Sequence, residues 1–335
     1  MGIGWALGAM SDEKRTNVTI VTGFLGSGKT TIINRFLASK SSENIVVIVN
    51  EFGQIGVDGD LFDAGAEEIL EFSNGCVCCV VRGDLIRGMR KILSERSDLD
   101  RIIIETSGIA NPGPVVQSII FDRVIASRVD IGSVLCLVDA ERIEKQLIDW
   151  PTAAEQLAFS DTIILNRLGD TDPEWLAGLV QDLKKLNVFA EIVREDEAKI
   201  QALIDKRSFD EQNICVDLDT LENNISNPSA DHIKAAGITS LSLIAEQPLD
   251  QHKFNNWLSN LLLKNGENIL RTKGIVWIDD EQPLIIQAVN MTLDSVPIIK
   301  GTNSQKVSRL VFIGRNLNSS KLRKEFEACI IKMKG

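Results

Sequence analysis

The sequence predicts an α/β protein in two parts: a parallel sheet with helices on both faces, followed by a smaller α+β domain. Three observations carry this. Through the first half of the chain, short runs of β-branched side chains alternate with amphipathic stretches. A glycine-rich loop joins the first of these runs to the first helical stretch. Near 208–237 the texture changes to Asp, Asn and Ser with weak periodicity, and a second set of strands and helices begins beyond it.

The apolar runs are 18–22 (VTIVT), 45–49 (IVVIV), 101–105 (RIIIE), 133–138 (SVLCLV), 162–166 (TIILN) and 190–193 (AEIV). Their near-continuous Val and Ile content suits strands buried on both faces, and helices between them imply a parallel sheet. Helices are expected over 30–39, 84–96, 113–126, 152–159 and 173–186, the last with Pro173 in its first turn. In the second part, strands are expected at 239–245, 274–279, 284–291 and 309–314, with helices over 250–264 and 319–333. The expected organisation is a disordered extension at 1–16, a nucleotide-binding domain at 17–207, a linker at 208–237 and a C-terminal domain at 238–335.

Composition narrows the function. The chain has 335 residues, 36 of them basic and 47 acidic, for a net charge of −11. With no basic excess to displace counterions from phosphates, a nucleic-acid-coating role is excluded. No run reaches ~18 uninterrupted apolar residues, so no membrane span is expected. The apolar amino terminus lacks a basic flank, which makes a cytoplasmic location the default. Six cysteines make no disulfide scaffold; Cys136 and Cys329 lie in apolar runs and are expected to be buried, and Cys215 with them.

Gly23-Phe24-Leu25-Gly26-Ser27-Gly28-Lys29-Thr30 is a full P-loop (G-x-x-x-x-G-K-[ST]), placed after a strand and before a helix as the motif requires. Glycines let the backbone N–H groups turn inward, and the helix start adds its positive dipole, so main chain holds most of a polyphosphate. Lys29 is expected on the β and γ phosphates and the Thr30 hydroxyl on Mg²⁺, with Thr31 next to them. Gly23, Gly26, Ser27 and Gly28 form the cradle. Glu105, at the end of the buried run RIIIE, is expected to hold Mg²⁺ or its waters, and Gly108 lets the following loop approach the γ-phosphate. The segment Asn166-Arg167-Leu168-Gly169-Asp170 is an irregular guanine-reading loop. Asn166 and Asp170 would take the base edge, although Asp170 sits one residue late and Arg167 stands where lysine is usual. GTP is therefore preferred over ATP as the nucleotide.

Cys76-Val77-Cys78-Cys79 places three thiols in four positions. Thiolates at this spacing suit Zn²⁺ at ~2.3 Å, and two or three sulfurs leave a coordination position for another ligand, for which Glu51 is a candidate. Cys76 and Cys79 also satisfy C-x-x-C, so a redox dithiol is the competing reading.

Joined together, TGFLGSGKTT (22–31), VNEFGQIGVD (49–58), SNGCVCC (73–79), ETSGIANPGPV (105–115) and LVDA (137–140) resemble the CobW-like P-loop GTPases, a family of metallochaperones and metal-insertion factors. ILRTKGIVWID (269–279) and SRLVFIGRNL (308–317) resemble the family's C-terminal domain. The resemblance implies metal thiols at Cys76, Cys78 and Cys79, a switch-region carboxylate at Glu51 and a Walker-B-like Glu105. It further implies slow GTP hydrolysis coupled to delivery of a divalent metal to a client metalloprotein, zinc foremost, with Co²⁺, Fe²⁺ and Ni²⁺ as alternatives. Many relatives carry histidine-rich stretches; this chain has only His232 and His252, and Gln54 replaces a common Glu. A redox-sensing nucleotide switch and a small-molecule phosphotransferase are the alternatives in other functional classes.

Overall fold

The computed structural model describes residues 15–39, 43–50, 68–71, 80–169, 171–195, 200–205, 237–279, 283–289, 292–297 and 306–331. The expected amino-terminal extension, save for its last two residues, and the expected linker, save for Gly237, lie outside these residues, as do Glu51, Cys76, Cys78, Cys79, Asp170, Cys215 and His232.

The first part is a seven-stranded, all-parallel sheet among the described residues. Its strands are β1 (Thr16–Gly23), β2 (Ile45–Asn50), β3 (Glu68–Glu71), β4 (Arg101–Thr106), β5 (Val129–Asp139), β6 (Thr162–Asn166) and β7 (Glu191–Arg194). They lie in the order β3-β2-β4-β1-β5-β6-β7. The helices are α1 (Lys29–Ser39), α2 (Val80–Glu95), α3 (Gly113–Phe121), α4 (Arg123–Ala126), α5 (Ile143–Asp149), α6 (Pro151–Phe159), α7 (Pro173–Leu186) and α8 (Ile200–Asp205).

Alternate side chains of each central strand feed two cores, which is why those strands read as continuous apolar runs. Ile45, Val47, Val21 and Ile103 pack with Ile32, Ile33, Phe36 and Leu37 of α1 and with Leu203 and Ile204 of α8. Val46, Ile48, Val18, Ile20, Ile102 and Ile104 face the opposite way, in a core shared with α2 to α7. The chain leaves β1, crosses to β2 and returns at β4 before passing to β5, so the order reverses around β1. A crevice outside the carboxyl ends of β1 and β4 is the place such sheets bind ligands.

The second part is a five-stranded antiparallel sheet in the order β11-β10-β9-β12-β8, formed by β8 (Ile238–Ala245), β9 (Ile269–Val276), β10 (Leu284–Val289), β11 (Thr292–Pro297) and β12 (Ser308–Arg315). One face packs on α9 (Gln251–Asn265) and α10 (Ser319–Glu327) through Leu241, Leu243, Leu310 and Phe312 against Phe254, Trp257, Leu258 and Phe326. The other face turns Leu270, Ile285, Val311 and Ile313 into the core of the first part. The period of two along β12 thus divides one strand between two cores.

The largest departures from the expected boundaries are three. The helix expected over 113–126 is two helices, because the Asp122 carboxylate accepts hydrogen bonds from the Val124 and Ile125 amides at 3.1 and 3.2 Å and restarts the helix as an N-cap. Strand β9 begins at Ile269 rather than 274, since Arg271, Thr272 and Lys273 are buried strand residues despite their polarity. The final helix stops at Glu327, short of 333. The sequence pattern also passes over α5, α8 and β11. Pro173 does open α7, with Asp172 as N-cap at 3.2 Å from the Glu174 amide.

Candidate functional site: a phosphate-binding crevice

A cavity of about 310 Å³ opens at the carboxyl ends of β1 and β4, lined by the loop 25–31, Val49, the segment Glu105–Gly108 and Arg167. Its floor is set by sheet register. Val21 on β1 stands beside Glu105 on β4, so the loop after β1 and the carboxylate at the end of β4 share one edge. The side chains of Thr106 and Thr22 tie the two strand ends at 2.9 Å.

The loop's path depends on glycine. Gly23 has φ of 138°, and a Cβ there would lie 2.3 Å from the Leu137 carbonyl oxygen and 2.7 Å from Ser27 Oγ. Only a residue without a side chain lets the chain leave β1 this close to β5. Lys29, largely buried, donates from Nζ to the carbonyls of Gly23 and Phe24 at 3.1 and 3.4 Å, which holds its cation within the loop. The Thr30 hydroxyl donates to Glu105, 3.2 Å from Oε1 and 3.4 Å from Oε2. A hydroxyl and a carboxylate meeting at the edge of a phosphate-sized cavity make an oxygen donor set that fits Mg²⁺. Thr31 is exposed at the same mouth.

On the far side, Asn166 ends β6 and donates from Nδ2 to the Ser27 carbonyl. Arg167, at φ 54°, donates to Asp139 Oδ2 at 2.9 Å and to the Gly26 carbonyl at 3.0 Å. Asn166 Oδ1, Ser27 Oγ and Asp139 Oδ1 are buried with no hydrogen-bond partner among the described residues. Buried polar atoms are almost always satisfied, so a cluster of three beside this loop fits a site whose ligand completes their bonding. Opposite, Gly108 packs so closely on the loop that a Cβ would lie 2.7 Å from the Leu25 amide nitrogen.

The structure therefore brings together Gly23, Gly26, Ser27, Gly28, Lys29, Thr30, Thr31, Glu105, Gly108 and Asn166. The thiol motif, Glu51 and Asp170 lie outside the described residues, among which no group of three or more His, Cys, Asp or Glu side chains is placed to hold a metal ion. The sequence reading left Asp139 and Gln156 without a role. Asp139 had a signal, a carboxylate ending a buried strand. Gln156 had only its position in a buried helix, where its Nε2 donates to the Gly108 and Ala110 carbonyls at 3.1 Å each.

Residues 17–194 match the model of the CobW/HypB/UreG nucleotide-binding domain, and residues 238–330 match the cobalamin synthesis protein CobW C-terminal domain. The chain belongs to the CobW family. Among its relatives is the zinc chaperone YjiA of Escherichia coli, 30% identical over 321 residues that cover 92% of this chain and 97% of YjiA. Another is the zinc-regulated GTPase metalloprotein activator 1 of Schizosaccharomyces pombe, 28% identical over 343 residues, covering 90% of this chain and 82% of the activator. The crystal structure of the Zn(II)-bound YjiA GTPase superimposes with a TM-score of 0.73 at 25% identity, covering 95% of this CobW-family chain and 100% of that one. No helix among the described residues is long and apolar enough to cross a membrane.

Proposed function

We propose that the protein is a GTPase that couples binding and hydrolysis of Mg-GTP to delivery of a divalent metal, zinc foremost, to a client metalloprotein. The observation that carries the reading is the meeting of Lys29, Thr30 and Glu105 in one crevice of a chain similar along nearly its whole length to a zinc chaperone. Lys29 supplies the cation for the β and γ phosphates, while backbone N–H groups of the loop and of α1 take their oxygens. Thr30 and Glu105 would hold Mg²⁺, directly or through water, and the bound ion would supply neutralisation of the phosphate charge. Asn166 and Asp170 read the guanine edge. The transferred ion is the cargo, bound by Cys76, Cys78 and Cys79 as thiolates, with Glu51 as the candidate further ligand.

Slow hydrolysis belongs to this reading. Among the described residues, Arg167 is the one arginine lining the crevice and is tied to Asp139 and the Gly26 carbonyl, and no described lining residue is a glutamine that would orient water. A cytoplasmic setting, where thiols stay reduced, suits the metal motif.

Titration of GDP, GTP and ATP with Mg²⁺, combined with release of inorganic phosphate, tests the nucleotide half. GTP is expected to bind more tightly than ATP and to turn over slowly. Lys29→Ala should weaken GTP binding by about 1.5–3 kcal/mol, the usual contribution of hydrogen bonds to charged groups. Equal affinity for ATP, or full GTP affinity in K29A, would overturn it.

A further inference from the structure

Helix α6 is buried from Ala153 to Phe159, and the two polar side chains in that stretch, Glu155 and Gln156, reach out of the helix to other elements. At its start, the N-cap residue Trp150 packs its ring on Phe24 of the phosphate loop, centroids 5.7 Å apart. In its middle, Gln156, 1% exposed, donates to the carbonyls of Gly108 and Ala110, on the segment that closes the crevice opposite Lys29. The neighbouring Glu155 turns the other way and pairs with Arg315 at the end of β12. At its end, Arg271 of β9 donates to the Phe159 and Ser160 carbonyls at 2.9 Å each and pairs with Asp161, beside Lys273. Last-turn carbonyls have no partner within a helix; Asn187, just after α7, takes those of Leu157 and Ala158, and Arg271 of the second sheet takes that of Phe159, so the C-terminal domain shares in completing the end of α6.

We propose that Gln156 is a positioning residue for the loop at Gly108–Ala110, and that α6 couples the arrangement of that loop to the C-terminal domain through Glu155–Arg315 and Arg271. The inference rests on reading the crevice as a GTP site and adds the element that transmits its state. One short rigid helix touches the phosphate loop, the loop facing the γ-phosphate and the second sheet. Displacement of Gly108 toward or away from the phosphate moves the two carbonyls that Gln156 holds, and a buried amide follows its acceptors because leaving them unpaired is costly. A shift of α6 then reaches Arg315 and Arg271. By reciprocity, a partner seated on the C-terminal domain that moves α6 changes affinity for the γ-phosphate by the same factor.

The test uses the full chain and its Mg²⁺ complexes, with affinities for GDP and for a non-hydrolysable GTP analogue measured by titration. Gln156→Met keeps the volume and removes the donors. It is expected to leave GDP affinity within about twofold and to weaken the analogue about tenfold, which corresponds to ~1.4 kcal/mol. Arg315→Ala, at a partly exposed pair, is expected to change the analogue-to-GDP ratio about threefold in either direction, again leaving GDP unchanged. It should also alter amide exchange of residues 106–111. Equal weakening of both nucleotides by Q156M would reduce Gln156 to a packing role and overturn the positioning claim. If Q156M fails to fold, R315A decides: an unchanged ratio together with unchanged exchange at 106–111 overturns the coupling. Wild-type protein that binds neither nucleotide removes the GTP-site reading itself, before any variant is compared.

Discussion

At the scale of single residues, burial sets the chemistry of the two described cysteines. Burial pushes the Cys136 thiol up to about 12, an effect that nearby Lys29 only partly opposes, and burial raises Cys329 to about 11. The thiolate is the reactive and metal-binding form, so these two are inert in the folded protein. Alkylation with iodoacetamide at pH 8 under native conditions, followed by peptide mapping, should leave Cys136 and Cys329 unmodified while Cys76, Cys78 and Cys79 react. Addition of Zn²⁺ before the reagent should protect those three. Labelling of Cys136 without denaturant would contradict the buried placement. The inertness of Cys136 and Cys329 is legible in the runs VLCLV and EFEACII, whose apolar neighbours announce burial. Asp139 is visible as a carboxylate ending a buried strand, but its Arg167 partner is not, and the role of Gln156 depends on two backbone carbonyls brought near by the fold, of which a spacing rule carries no trace.

At the scale of elements, side-chain competition for the backbone decides where helices end. The apolar positions from Val115 to Ile125 keep a helical spacing, which is why one helix is expected there. Asp122 breaks it by taking two amides and the Arg90 guanidinium, whose Nη2 lies 2.7 Å away. Desolvation opposes the charge on Asp122, but the hydrogen bonds from Arg90, Ile125 and Val124 outweigh it and hold the carboxyl below its ordinary value. Asp122→Ala should cost about 0.5–2 kcal/mol from the lost cap, and Asp122→Asn, which keeps an acceptor, less than half of that. Urea midpoints for both variants check this; equal losses would assign the effect to the Arg90 pair rather than the cap. Strand β9 shows the opposite failure of pattern. The expected strand starts at 274, after its charged residues, yet these lie in a buried strand because their partners are at the end of α6 and on Asp161.

At the scale of the whole molecule, the two sheets are joined by a buried ion cluster. Burial raises the cost of a charged Asp161, but Arg271, Lys273 and the Val134 amide more than compensate, so its carboxyl stays below the ordinary range. A depressed carboxylate pKa adds stability above the unfolded value of about 3.9, and that contribution is lost as pH falls through the folded value. Asp161→Asn leaves two buried cations without their shared anion and should cost on the order of 3–5 kcal/mol at pH 7. The gap between wild type and D161N should narrow as the pH drops below about 4. Denaturation curves at pH 7 and pH 3 give the comparison, and a gap independent of pH would contradict the assignment. The strand run and the phosphate loop are legible in the sequence because each is a local pattern: a strand, a glycine loop and a helix in succession. The seating of the second sheet on the first is not, because its contacts join residues more than a hundred positions apart.

The central claim is that nucleotide state and metal binding are linked, and a linkage requires different metal affinities in the two states; tenfold corresponds to ~1.4 kcal/mol. Zn²⁺ should be titrated, against a competing chelator, into the Mg²⁺ complexes with GDP and with a non-hydrolysable GTP analogue. The same titration on protein with Cys76, Cys78 and Cys79 changed to Ser supplies the control. The account predicts one tight site, lost in the Ser variant and shifted several-fold between the two nucleotides. Identical thiol-dependent affinity in both complexes would contradict the coupling, and zinc binding that ignores the three cysteines would contradict the cargo site itself.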